Sequence, residues 1–239
     1  GIKAAPDVKL DYTFADTYVA YLHATGGTRL NDFRQQNEES PYWGVINQMR
    51  TSYTPADLQV GFKASPLPGL GFHLFGGYRV TKDEIFHLPG ITDTDFPYCY
   101  SLLMQEKAKV GYGGIKAAYG YKDIFDFSVG GTYYGWNVKD EAKVLLYLKP
   151  EFVLDASARA KVYDEFWISA AYRYEGRVKA GELEKADAIN NLSLSAGYEF
   201  FNSLNVFVRF NNLLNQDYIT EAGYPVQGFN AMAGVSFRF

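Results

Sequence analysis

The sequence is short of several things, and each shortage closes off a class of protein. One cysteine, Cys99, stands among 239 residues, so no internal disulfide can form and no thiolate set can hold a metal. No run approaches the ~20 consecutive apolar residues of a membrane-spanning helix, although 47% of the residues are hydrophobic. A helical membrane protein is thereby excluded. Basic residues do not dominate: 23 Lys and Arg stand against 27 Asp and Glu, a net charge of −4, which leaves no footprint for nucleic acid. Only three histidines occur, His23, His73 and His87. Their spacing is unlike that of metal ligands, so structural or inward-facing roles are expected. No Gly-Xaa-Ser-Xaa-Gly elbow and no phosphate loop is found. The first residues carry no charged-then-apolar leader, so the natural start of the chain is not visible in the sequence.

Aromatics and glycine are plentiful: 20 Tyr and 18 Phe accompany 23 Gly and 9 Pro. That balance suits strands with one apolar face and one crowded but polar face. Their arrangement is a repeat of alternating strand, short turn, alternating strand, longer polar loop. Short turns are expected at Ala15-Asp16, Pro66–Gly69, Lys122-Asp123, Tyr163–Glu165 and Asn202-Ser203, with longer connections at 26–46, 83–105, 139–143, 180–189 and 214–227. Short connections at one end and long ones at the other are the habit of outer-membrane barrels.

Successive side chains of a strand face opposite ways. Phe229, Ala231, Ala233, Val235, Phe237 and Phe239 fall on one face of the last segment; Asn230, Met232, Gly234, Ser236 and Arg238 fall on the other. The same alternation gives Leu204, Val206, Val208 and Phe210 against Asn205, Phe207, Arg209 and Asn211, and Leu154, Ala156, Ala158 and Ala160 against Asp155, Ser157, Arg159 and Lys161. In one segment Ala108, Val110 and Tyr112 are out of phase with Ile115, Ala117 and Tyr119, and a β-bulge is expected at Gly113-Gly114. The apolar face is aliphatic in mid-strand and aromatic near the ends, at Tyr172, Tyr174, Tyr198, Phe200, Phe237 and Phe239, where membrane girdles form. The fold class is therefore an all-β, antiparallel transmembrane β-barrel of ten to twelve strands. About eleven are expected: 7–14, 17–28, 47–65, 70–82, 106–121, 124–138, 144–162, 165–179, 190–200, 204–213 and 228–239. Leu154, Leu192, Leu194, Val206, Val208, Ala233 and Val235 should all face lipid, with Arg159, Arg173 and Arg209 on the opposite side.

The C-terminal residues carry a more specific pattern. Asn212, Leu213, Leu214 and Asn215 close one strand; Tyr218, then Gly223, Tyr224 and Pro225, and then Gly228, Gly234 and the terminal Phe239 follow. This combination resembles the end of a TonB-dependent outer-membrane receptor, with Phe229 where a basic residue is usual. The likeness is strong over the last 30 or so residues and is one of pattern elsewhere. It implies a piece of a barrel of about 22 strands, forming a single barrel unit over 1–239 with neither plug domain nor TonB box in it. It also implies import of a scarce ligand (iron chelate, cobalamin or glycan), with the TonB complex engaged only through regions absent from this sequence. Outer-membrane lipid, the barrel insertion machinery reading the C-terminal strand and a surface lipoprotein are the implied partners; no cofactor is implied.

Ligand contact is expected from the long loops, since binding rides on loops held by a rigid scaffold. Tyr42, Trp43, Phe96, Tyr98 and Tyr100 are the candidates, with Phe33 and Phe86 beside them; packing of the loops themselves is the competing reading. The acidic residues Asp83, Glu84, Asp93 and Asp95 read as a solvated loop and lack the spacing of a calcium site. Two alternatives stand beside the receptor. One is a complete small barrel with a structural, adhesive or porin-like role. The other is a rim enzyme using His23, His87, Asp93 and Asp95. Because unpaired backbone is costly in hydrocarbon, residues 7–28 are expected to pair with 228–239 and close the sheet on itself.

Overall fold

Alternating side chains call for extended chain, and the computed structural model, which describes residues 3–39, 49–91, 99–200, 203–221 and 224–237, is built almost wholly of strands. In chain order these are β1 (Asp7–Phe14), β2 (Tyr18–Arg29), β3 (Ser52–Leu67), β4 (Leu70–Ile91), β5 (Cys99–Tyr121), β6 (Phe125–Asn137), β7 (Pro150–Lys161), β8 (Phe166–Arg177), β9 (Ile189–Phe200) and β10 (Leu204–Asn211), then β11 (Ile219–Glu221), β12 (Tyr224–Pro225) and β13 (Asn230–Phe237). β1 to β10 and then β13 form one 11-stranded sheet in sequence order, and β11–β12 make a separate ribbon. Each neighbouring pair is antiparallel. A helix, α1 (Phe33–Glu39), and a 3₁₀ helix (Asp140–Leu146) lie in long connections.

Among the described residues the short turns hold their places; Asn202 lies outside them. A three-residue loop, Ala15 to Thr17, joins the paired residues Phe14 and Tyr18, and within it Ala15 and Asp16 both take positive φ, 49° and 55°.

Directly paired residues of antiparallel strands share a face, so the register traces each face across the sheet. One line of partners runs Phe14, Tyr18, Ala64, Phe72, Ala117, Val129, Ala156, Tyr172, Leu192. The same face continues from Ala170 and Leu194 through Phe210 to Ala231. Leu154, Val206, Val208, Ala233 and Val235 belong to it, while Arg159, Arg173 and Arg209 belong to the opposite face, as the sequence pattern anticipates. Leu10, Leu74 and Ile115 are 59%, 58% and 57% exposed. A soluble sheet would cover such a face; here it is one apolar surface across eleven strands, flanked by rings. Near the short turns Phe14 stacks on Tyr18 at 5.5 Å and Tyr18 on Phe62 at 5.9 Å, and Tyr198 lies 4.5 Å from Phe200. Toward the long connections Phe152 meets Tyr174 at 6.2 Å. These are the two girdles of a lipid-facing band.

Four expectations are corrected. The pairing of β5 with both neighbours is continuous through Gly113 and Gly114, so no bulge sits there. Ala108, Val110 and Tyr112 are out of phase because they lie on the polar face, where Ala108 and Val110 are buried and Ala108 packs with Ala142, Leu145 and Leu146 of the 3₁₀ helix. The bulge lies instead on β4, where Lys82 and Asp83 oppose one residue of β5 and Asp83 takes φ 56°. Beyond it the expected loop 83–105 is mostly strand: Glu84–Ile91 pairs with Cys99–Glu106 as a hairpin standing above the band. Residues 144–149, expected in a strand, lie in the 3₁₀ helix and the turn after it.

The fourth correction concerns closure. Among the described residues β1 pairs only with β2 and β13 only with β10, so the sheet is open. The reason is parity. β1 runs into the turn at Ala15, and β13 leaves a long connection, so both run toward the short-turn end. Pairing them would make a parallel contact in a wall whose other contacts are antiparallel.

Candidate functional site at the long-loop mouth

At the mouth the polar face of β7 and β8 carries a chain of charges that ends in the loops. Arg173 donates to Asp155 at 2.9 Å and to Glu175 at 2.7 Å, and Arg177 donates to Glu175 at 2.6 Å. The Arg177 side chain is 3% exposed. It also donates to the carbonyl of Leu148 at 2.5 Å and to that of Ile219 at 2.9 Å, tying the connections 138–149 and 212–229 to the wall. A buried guanidinium needs its hydrogen bonds filled, and two loop carbonyls fill them.

Beside this knot the 3₁₀ helix folds onto the polar face of β4 and β5. Ala142, Leu145 and Leu146 bury themselves with Phe86, Ala108 and Ala180. Lys149 lies over the Phe86 and Trp136 rings at 5.1 and 5.5 Å, and Trp136 donates to the Pro150 carbonyl at 2.8 Å. Glu106, above the band, pairs with Lys139 at 3.5 Å. The Lys107 N–H holds its carboxyl below the usual range, with Lys139 and Arg50 helping. Across the mouth Arg50 bridges to Asp83 at 2.8 Å, and Ser52 donates to the Asp83 carbonyl at 2.6 Å. The loops are thus pinned at their roots.

Below the knot is a recess of about 230 Å³ on the polar face, lined by Ser128, Asp155, Ser157, Arg173, Asn191 and Ser193 among others. It offers donors and acceptors of both kinds, the equipment for holding a polar surface.

The sequence candidates divide. Tyr42, Trp43, Phe96 and Tyr98 lie outside the described residues, as do Asp93, Asp95, Gly223 and Phe239. Tyr100 sits on β5 paired with Gly90. Phe33 opens α1 and is exposed, whereas Phe86 is fully buried and packs the loop. The C-terminal motif is a staple. Asn212 is buried; it accepts from the Gln216 N–H and donates to the Gln216 and Gln227 carbonyls. Leu213 N–H bonds to the Leu192 carbonyl, and Asn215 accepts from the Phe229 N–H. Tyr218 accepts from Asn191 at 3.0 Å, while Tyr224 and Pro225 form β12 against β11. Leu214 is exposed. His23 pairs with Asp11 at 3.1 Å on the polar face of β2. Through Gln59 it aligns with Gly77 of β4, ten residues or roughly 33 Å of strand short of His87. His23 and His87 of the rim set are therefore not gathered, and its Asp93 and Asp95 lie outside the described residues. Glu175, Arg177 and Lys149 were missed as a unit; the sequence shows their charges but not the loops that fold over them.

No protein-family model matches the chain, and neither does any curated sequence. Solved structures do. The copper transporter OprC matches with a TM-score of 0.66 at 15% identity, over 97% of this chain and 39% of its own. The siderophore receptor PirA from Acinetobacter baumannii matches at 0.70 and 12%, over 97% and 40%. The pyoverdine outer membrane receptor FpvA from Pseudomonas aeruginosa matches at 0.66 and 17%, over 98% and 36%. The fold is the barrel fold of TonB-dependent outer-membrane receptors. The chain spans less than half the length of each of these receptors, and its eleven strands match a sector of such a wall. In a barrel of this fold the apolar face is the outer face and the polar face the inner one.

Proposed function

We propose that the chain is the C-terminal sector of the barrel of an outer-membrane receptor that imports a scarce ligand, a metal chelate, with energy delivered by a TonB complex through regions outside this sequence. The observation that carries this reading is the joint presence of a lipid-facing band over eleven strands and a lumen wall whose mouth loops are pinned by Arg177. The names of the similar structures, a copper transporter and siderophore receptors, favour a chelated metal over cobalamin or a glycan. The receptor reading also makes this a binding and transport protein and not an enzyme. A self-contained small barrel is less well supported, because its first and last strands would have to meet in parallel.

The test is uptake. Deletion of the gene should abolish accumulation of at least one labelled ferric or copper chelate from a panel, and reintroduction should restore it. Unchanged uptake across the panel, with growth under metal limitation also unchanged, would overturn the proposal.

A further inference from the structure

The apolar outer face carries a charged feature of its own. Apart from Asp83 and Glu151, which lie at register shifts, the charged side chains among the described strand residues of the sheet fall on the polar face, with three exceptions. These are Lys82 on β4 and Lys107 and Lys109 on β5. Lys109 is the direct partner of Val80, and Lys82 lies two residues beyond Val80, opposite Tyr53 and beside Lys107. Lys107 and Lys109 flank Ala108, which is buried on the polar face, so both point the other way. Strands stand about 5 Å apart and two residues span about 7 Å, so the three side chains rise from one patch. The patch lies at the long-connection end, where the apolar band stops and the hairpin 84–106 begins.

Among the described residues none of the three lysines has an ion-pair partner. The nearby acids are engaged: Asp83 pairs with Arg50 at 2.8 Å, and Glu106, on the other face, with Lys139 at 3.5 Å. Lys82 Nζ lies over the Tyr53 ring at 5.8 Å, with Lys3 Nζ over the same ring at 5.3 Å. An aromatic face attracts an ammonium group without consuming its N–H donors, and Lys82 and Lys107 are exposed. Directly below the patch, toward mid-band, the outer face is bare. Gly76 pairs with Gly113 and Gly111 with Gly135, and a Cβ on any of these four would meet nothing nearer than 3.5 Å. Tyr78 and Tyr133, both exposed, are cross-strand partners of Gly111 and Gly113 and wall this trough. Whatever fills the inside of the barrel does not reach this side of the sheet.

We propose that Lys82, Lys107 and Lys109 hold the phosphate groups of an outer-leaflet lipid whose acyl chain lies in the glycine trough below them. Long connections mark the external side of such barrels, so the patch stands at the outer headgroup level. Lysine stems run along apolar surface there and leave the ammonium groups in the polar layer. A tolerated interfacial charge could be of either sign; here the charges are all positive, gathered on two neighbouring strands and without an acid. Like charges side by side repel, and phosphate oxygens offset that repulsion through charge-assisted hydrogen bonds. The trough runs from the lysines into the apolar band, so one molecule with an anionic head and a hydrocarbon tail fits both parts, which a soluble phosphate does not. The inference shares with the proposed function the reading of the apolar face as lipid-facing, but not import: a failure here leaves the uptake experiment untouched, and a failure of uptake leaves this site standing.

Diphosphoryl lipid A is the probe, titrated in detergent micelles into the delipidated protein purified from outer membranes, with the adduct followed by native mass spectrometry. Saturable binding is expected, weakening as salt rises. Lipid A stripped of both phosphates should bind far more weakly, and inorganic phosphate at equal molarity should not displace the lipid. K82Q/K107Q/K109Q should lower affinity by about tenfold or more, and the triple arginine variant should keep it within about threefold. Gly111→Val fills the trough without changing charge and should weaken binding by about threefold or more, which keeps the proposal testable if the triple glutamine variant fails to insert. Lys122→Gln, in a turn at the opposite end of the wall over the Tyr121 ring, should bind like the parent protein. Absence of saturable binding in the parent, equal binding of the dephosphorylated lipid, or displacement by inorganic phosphate would each overturn the site. So would affinity unchanged in K82Q/K107Q/K109Q or in Gly111→Val, or an equal loss in Lys122→Gln.

Discussion

Tyrosine and glycine are both abundant because on the lumen face they are partners. Tyr21 lies across Gly61, Tyr112 across Gly77, Trp167 across Gly197 and Phe207 across Gly234, each ring over the glycine it pairs with on the next strand. A Cβ on Gly197 would come within 2.5 Å of the Trp167 indole, which also carries the Arg159 guanidinium at 4.7 Å. Gly197→Ala should therefore push the indole off its seat and break the stack. Overpacking of this kind costs on the order of 1–3 kcal/mol, readable as a lower urea midpoint in detergent and a red-shifted Trp emission. An unchanged midpoint would show that the indole moves freely. The composition announces that these residue types are needed, and alternation assigns each to its face. Which ring covers which glycine is not legible, because pairing depends on register, and register is fixed by turns several residues away.

Elements whose side chains alternate without interruption, such as β8 and β10, lie where the sequence places them, within the fraying expected of strand ends. The misjudged segments are those where another rule overrides the period of two. At Lys82-Asp83 one extra residue shifts the phase, so the hairpin beyond it reads as a loop. At 140–146 the apolar residues Ala142, Leu145 and Leu146 resemble a strand's beginning but are collected by a 3₁₀ helix onto a small core. The candidate site suffered most, since its charges come from one strand and its ligating carbonyls from two distant loops. Arg177 is the joint. Arg177→Met would leave Glu175, whose side chain is 10% exposed, with Arg173 alone, and would free the Leu148 and Ile219 carbonyls. Removing one partner of a buried pair costs about 3 kcal/mol, here taken mainly from the loops. Hydrogen exchange should accelerate over 138–149 and 212–229 while the strands of β6 to β9 keep their protection, and adding Glu175→Gln should recover part of the loss. Uniform loss of protection across the wall would mean that Arg177 holds the sheet and not the loops.

At the scale of the whole molecule the governing quantity is the unpaired edge. Backbone groups left open in hydrocarbon cost several kcal/mol each, and this sheet has two such edges, on β1 and on β13. They cannot be joined to each other without a parallel contact. A second copy inserted with the same orientation does not help, since it offers the same two strands, both running toward the short-turn end. An all-antiparallel ring requires an odd number of further strands between β13 and β1. We therefore expect the 239 residues, expressed alone and refolded in detergent, to remain unclosed within one chain. The check is a crosslink: with Cys99 replaced by Ser, cysteines at Leu10 and Val235, both on the apolar face of the two edge strands, should form no intramolecular disulfide under mild oxidation. Leu10 and Leu22, cross-strand partners within the hairpin, serve as the positive control. Efficient joining of 10 to 235 in a monomer would show that a parallel seam is tolerated and that the open edges seen here are not the resting state of the wall.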